Sequence, residues 1–140
     1  MSKDIYLYLA GSLTYLFRQN KFNIATEWRD KVDRWAKDNK IKTFNPAKNF
    51  SNEINHGYSN SLIVEQNEFF LKNTSIMIVQ LDYIDHSPGT IFEMATYRHM
   101  NKPVIAFGDK KHWSPHINEC ISQYCHDIDD VIEVITNMFM

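Results

Sequence analysis

One carboxylate in this sequence stands where chemistry is easy to place. Glu93 comes shortly after Ser87-Pro88-Gly89-Thr90, a run built to open a helix. Serine is a favoured N-cap, proline suits the first helical position, and glycine lets a ligand come close to the backbone. The first amides of such a helix have no partner within it and attract anions. A carboxylate one turn behind them can act as a nucleophile or a general acid–base group. Spacing alone also fits a solvated helix glutamate, the more ordinary of the two. Gly11-Ser12, after an apolar run, sits where a phosphate-binding turn often lies, but no dinucleotide or P-loop pattern follows. Tyr6 and Tyr8 share one side of that run, and each reads as a core tyrosine. The six histidines show no HExxH or other ligand spacing. Cys120 and Cys125 suit neither a disulfide framework nor a zinc site, so neither a metal nor a cofactor is expected.

The elements that must position these groups follow from the patterning. Residues 75–108 read as strand, loop, helix and strand. Ile76, Met77, Ile78, Val79 and Leu81 form a buried parallel strand, Lys102-Pro103 ends the helix, and residues 104–107 form the next strand. Upstream, residues 5–10 are apolar throughout and predict a central first strand. Residues 13–21, with Tyr15, Phe17 and Arg18, read as a mobile loop, either a solvated connector or a lid touching a base. Ile24, Trp28, Val32 and Trp35 mark the buried face of a helix over 22–38. A short second strand over 40–44 precedes a polar segment, 45–60, that flanks the pocket and carries His56, read as an exposed loop histidine. A second helix spans 61–73, with Leu62, Phe69, Phe70 and Leu71 among its apolar residues. Residues 109–122 read as a loop holding Trp113, His116 and Asn118. Tyr124-Cys125 is a brief edge strand. A closing helix over 127–140 turns Ile128, Val131, Ile132 and Ile135 inward, with acids at its start matching the helix dipole.

Strand and helix alternate five times, which predicts an α/β doubly wound parallel sheet with right-handed crossovers. The expected order is flavodoxin-like, 2-1-3-4-5. It sets the ends of the first and third strands side by side, bringing Tyr8, Ser12 and Glu93 together. A phospho-receiver domain shares that order but needs paired acids after its first strand, and Leu9-Ala10-Gly11 has none.

At 140 residues the chain reads as one domain, 1–140, with no repeats, linkers or low-complexity segments. A net charge of −2 argues against nucleic acid or an anionic membrane as main partner. No apolar run approaches the ~20 residues a membrane helix needs. Met1-Ser2-Lys3-Asp4 leads straight into a strand without a signal peptide, so a reducing cytoplasm is the expected location. Aromatic content of 14% fits a base-stacking pocket or a subunit interface.

Taken with its surroundings, the sequence resembles the nucleoside 2-deoxyribosyltransferase family, which includes the deoxynucleoside 5′-monophosphate N-glycosidases. The matching residues are Tyr8-Leu9-Ala10-Gly11-Ser12, Phe44-Asn45-Pro46, and Ser87-x-Gly89-Thr90-x-x-Glu93 with Lys102-Pro103 behind it. The likeness runs on to Asp127-Ile128-Asp129-Asp130 and covers nearly the whole chain. It implies that Glu93 is a nucleophile and that Tyr8 hydrogen-bonds it; that chemistry would need Glu93 ionised, which the Tyr8 hydroxyl and the helix N-terminus could both favour. It further implies cleavage or transfer at the N-glycosidic bond of a 2′-deoxynucleoside, with nucleoside or nucleotide and free base as partners. Gly11, Ser12, Ser87, Gly89, Thr90 and Asn118 would hold substrate, and the protein would be a homo-oligomer with shared active sites.

Two departures accompany the resemblance. Members usually carry an aspartate where this chain has Asn67, whose amide offers no titratable proton. Glu65 and Glu68 are neighbours in sequence, but the helical pattern predicts that neither points the same way. Ser87 stands where transferases acting on free nucleosides tend to carry an acid and the nucleotide hydrolases a serine, whereas Asn118 is of the nucleoside type. The alternatives are therefore a monophosphate N-glycosidase and a nucleotide-binding module with weakened catalysis.

Overall fold

Five strands form one parallel sheet in the computed structural model, which describes residues 4–49, 58–110 and 114–140. They are β1 (Tyr6–Ala10), β2 (Lys42–Phe44), β3 (Ile76–Gln80), β4 (Val104–Phe107) and β5 (Gln123–Cys125), in the order β2-β1-β3-β4-β5. Tyr8 lies opposite Met77 and Ala10 opposite Val79, so β1 and β3 end together at the switch point, as the alternation of elements predicts. The chain also forms α1 (Thr14–Arg18), α2 (Phe22–Asp38), α3 (Asn60–Asn73), α4 (Pro88–His99), α5 (Pro115–Glu119) and α6 (Ile128–Phe139).

Strand pleating sorts the core into two layers. Tyr8, Ala10, Met77, Val79, Val104 and Ala106 pack with Leu71 of α3, Met94 and Tyr97 of α4, and Ile117 of α5. Leu7, Leu9, Ile76, Ile78, Ile105 and Phe107 pack with Trp28 and Val32 of α2 and Val131 and Ile135 of α6. Burial on both faces explains why the strands read as continuous apolar runs. On α3 only Leu71 is fully buried, whereas Leu62 and Phe69 are about half exposed, at 48% and 58%. Lys102 Nζ donates to the carbonyls of Leu71, Lys72 and Thr74 at 2.6, 2.9 and 2.7 Å, tying the end of α3 to the start of β4.

Two segments read as loops contain helices. Within 13–21, α1 forms without any side-chain cap, around the buried Leu16, and ends at Arg18, two residues before Asn20 turns the chain with φ 57°. Within 109–122, α5 forms where Ser114 Oγ accepts from Ile117 N at 3.3 Å, with Pro115 at the helix start and Ile117 buried. The strand expected from residue 40 begins later because Lys40 turns there with φ 57°. His56, Gly57 and Trp113 lie outside the described residues. Among the described residues, no helix is long and apolar enough to cross a membrane.

Candidate active site

The site is built where β1 and β3 end and α4 begins. Gly11 turns the chain after β1 with φ +148°, and an added Cβ would stand 3.3 Å from Gln80 Cβ and 3.4 Å from the Arg29 guanidinium. A side chain there would therefore be both strained and crowded. A cavity of about 760 Å³ opens above this turn. Gly11, Arg29, Asn67, Glu68, Ser87, Gly89, Thr90 and Glu93 are among its walls. From α1 come Tyr15 and Arg18, and Tyr15 stacks on His86 with ring centres 4.1 Å apart and planes 7° apart. α1 is thus a short helical cover over one side of the cavity.

Tyr8 and Glu93 meet directly. The Tyr8 hydroxyl donates to Glu93 Oε2. Its ring is fully buried, 5.1 Å from the Phe44 ring centre and 6.5 Å from that of Tyr97. Burial, and then the neighbouring Glu93 charge, hold the phenol well above its ordinary range, so it stays a donor. Glu93 is partly buried, and burial pushes its carboxyl up to about 7. The Tyr8 hydrogen bond and the Arg29 charge pull the other way without cancelling burial. The Tyr8 hydrogen bond thus favours the anion, as expected from the sequence, while burial opposes it more strongly.

Arg29 is the group that sequence reading missed. It is fully buried, and its guanidinium donates to Leu9 O at 3.3 Å, Gly11 O at 3.3 Å and Ala25 O at 2.8 Å. Burial lowers it to about 10, which leaves it a cation at neutral pH. It therefore fixes the end of β1 while lining the same cavity as Glu93, with which its charge interacts. A signal was present: Ala25, Trp28, Arg29, Val32 and Ala36 form one buried stripe on α2, and a charge on such a stripe needs partners.

Ser87 occupies the N-cap position of α4, but its side chain makes no cap hydrogen bond, contrary to the expected role. Ser87 and Thr90 are buried at the cavity wall. A Cβ added to Gly89 would meet nothing within 4 Å, so the space beside the first amides of α4 is open. Ser12 is 1% exposed, and its hydroxyl is the one buried side-chain polar atom without a partner among the described residues. Pro46 lines the cavity, and Asn45 Nδ2 anchors that turn by donating to Asp33 Oδ2 at 2.8 Å. Asn118 is exposed on α5 and is not among the cavity-lining residues.

On α3, Val64, Asn67, Glu68 and Leu71 all line the cavity, the spacing of one helical face. Glu68 therefore does turn to the same side as Asn67, which corrects the sequence expectation. Glu65, off that stripe, is exposed.

A family model described as Nucleoside 2-deoxyribosyltransferase matches residues 7–130. The chain belongs to the nucleoside 2-deoxyribosyltransferase family. Among solved structures, a conserved protein from Enterococcus faecalis V583 superposes with a TM-score of 0.79 at 14% identity, covering 96% of this chain and 99% of that one. The 2-deoxyribosyltransferase from the psychrotolerant bacterium Bacillus psychrosaccharolyticus superposes with a TM-score of 0.68 at 21% identity, covering 90% of this chain and 89% of that one. At such identities these two likenesses bear on the fold, which they share with this member of the family. No curated protein matches the chain.

Proposed function

We propose that this member of the family cleaves or transfers at the N-glycosidic bond of 2′-deoxyribonucleosides through a covalent deoxyribosyl–Glu93 ester. The observation that carries the reading is the Tyr8 hydroxyl bonded to Glu93 on a cavity of about 760 Å³, large enough for a nucleoside. In the first step a Glu93 carboxylate oxygen bonds to C1′ as the C1′–N bond breaks. The base leaves with that electron pair, and a proton must reach its nitrogen. In the second, a base or water bonds to C1′, loses a proton and releases the Glu93 carboxylate, so configuration is retained over two displacements. Tyr8 holds one carboxylate oxygen so that the other is free to attack. Arg29 supplies positive charge as the anionic form is consumed and regenerated.

Ser12, Ser87, Gly89 and Thr90 hold the sugar and its 5′ end, with Asn67 at the base. Ser87, not used as a cap, and Arg18 on the cavity wall favour a second reading, hydrolysis of a deoxynucleoside 5′-monophosphate. The protein acts as a homo-oligomer in a reducing cytoplasm, with Asn118 reaching a neighbouring copy's site. No metal or cofactor takes part.

Chromatography of free base released from deoxynucleosides and their monophosphates, with and without an acceptor base, tests the reading. Release should require Glu93, vanish in Glu93→Ala, and give way to covalent labelling of Glu93 with a slow 2-fluoro sugar analogue. Labelling at another residue, or an active Glu93→Ala protein, would remove Glu93 from the mechanism. Preference for the monophosphate without need of an acceptor would select the hydrolase reading.

A further inference from the structure

Departure of the base requires a proton, and the position that resembles the family's aspartate holds an amide. We infer that Glu68 is the catalytic acid in this protein, delivering a proton to the leaving nitrogen of the base from the helix face it shares with Asn67. The inference rests on the N-glycosidic reading above.

The wall of α3 and the opposing residues of α4 carry it. Among the described residues that line the cavity, the only carboxyl groups are Glu93 and Glu68. Glu93 must attack C1′, so it cannot also protonate the departing base in that step. Arg18 and Arg29 hold their protons too firmly to serve as acids near neutrality, and the third ionisable side chain with a nitrogen on the wall, His86, has its ring stacked on Tyr15, 4.1 Å between centres, rather than standing on the α3 face. Glu68 is half-buried on the cavity wall and, among the described residues, makes neither a hydrogen bond nor an ion pair. Its carboxyl is thus free to turn toward a ligand. Val64 of the same stripe and Phe92 of α4 also line the cavity, both about half exposed. These two give the apolar surface a base ring needs, with polar groups along the ring's edge. Asn67 presents a donor and an acceptor to that edge, while Glu68, one residue on, presents a proton. The division of labour replaces one aspartate with a reader and an acid.

The proton balance closes over both steps. In the first, the Glu68 O–H bond breaks, its proton goes to the leaving nitrogen, and the C1′–N pair stays with the base. Glu68 is then a carboxylate. In the second, it takes the proton that the incoming base or water sheds on bonding to C1′, and the acid form is restored.

Substrates that differ only in their need for a proton provide the test. Glu68→Gln and Glu68→Asp would be assayed on natural deoxynucleosides and on nitrophenyl 2-deoxyriboside, whose phenolate departs unprotonated. A positioned acid contributes ~10²–10⁴-fold, so Glu68→Gln should lose at least ~100-fold on natural deoxynucleosides. Its loss on the nitrophenyl substrate should be at least tenfold smaller. Glu68→Asp should fall between wild type and Glu68→Gln on the natural substrates. Equal losses on both substrates, or none on either, with wild type active, overturns Glu68 and leaves the N-glycosidic reading standing. Wild type inert on both, with no covalent label on Glu93, overturns that reading and this one with it. Far-ultraviolet circular dichroism and labelling of Glu93 in each variant confirm folding; should Glu68→Gln fail to fold, Glu68→Asp carries the same leaving-group comparison.

Discussion

A carboxyl group that titrates near pH 7 inside a fold weakens that fold at neutral pH. Glu93 is raised to about 7 by burial, above the 4.5 of an ordinary glutamate. Between those values the folded chain binds more protons than the unfolded chain, so stability falls as pH rises from about 4.5 to about 7 and then levels off. The loss is at most on the order of 3 kcal/mol. Glu93→Gln removes the charge and keeps an oxygen for Tyr8 to donate to. It should therefore be more stable than wild type at pH 8 by roughly 1–3 kcal/mol and nearly equal to it at pH 4.5. Thermal melts of both proteins at the two pH values check this, and parallel pH dependences would mean that Glu93 is not the destabilising group. At this scale the sequence was legible in part. Glu93 and Tyr8 stood out through the resemblance, and their hydrogen bond is there. Arg29 did not, because its importance depends on three carbonyls that only the fold brings to it. Glu68 was misjudged because adjacent residues on a helix differ by about 100° in direction, yet a wide cavity admits both.

Glycines at two element boundaries do opposite work. Gly11 ends β1 with a backbone that side chains rarely adopt and with Gln80 and Arg29 close by. Gly11→Ala should cost roughly 1–3 kcal/mol and displace the Arg29 hydrogen bonds. Gly89 begins α4 with open space beside it, so Gly89→Ala should leave stability unchanged or raise it by ~0.4–1 kcal/mol. The same methyl would fill the approach to the α4 amides and raise KM for substrate several-fold. Denaturant melts and steady-state kinetics on both variants check the contrast. An active Gly89→Ala enzyme with unchanged KM would mean that no ligand comes near that turn. The strands and the long helices were legible because burial on both faces of the sheet, or on one face of a helix, leaves a clear period. α1 was not, since five residues around one buried leucine carry no period and no cap. α5 had a readable start in Ser114-Pro115, the same pair that opens α4 as Ser87-Pro88, but only five residues to show for it.

Large apolar side chains stand exposed on α3 and just before it. Leu62 and Phe69 lie two turns apart on α3, about half exposed, with Tyr58 before them at 61%. If the proposed homo-oligomer forms through this face, replacing Leu62 and Phe69 together by glutamate should yield monomers in sedimentation velocity while leaving the far-ultraviolet spectrum unchanged. An oligomer that survives the double change would place the interface elsewhere. The sheet order was legible from the alternation of elements, whereas the outward turn of α3 was not, because apolar residues on a helix do not say which neighbour they face. That sheet order also governs how the chain must find its fold. β1 is made first and sits second in the sheet, yet its partners are β2 and β3, and Tyr6 already bonds a residue 69 positions on. Among the described residues no two strands are joined by a hairpin, so every ladder waits for a long loop to close. Contacts of such high sequence separation place folding in the slower part of the two-state range rather than among microsecond folders. Tyr8 and Glu93, 85 positions apart, are joined only once β1, β3 and α4 have docked. A chain caught part-way therefore has strands and helices but no Tyr8–Glu93 pair in position, and recovery of activity on refolding should lag behind recovery of secondary structure.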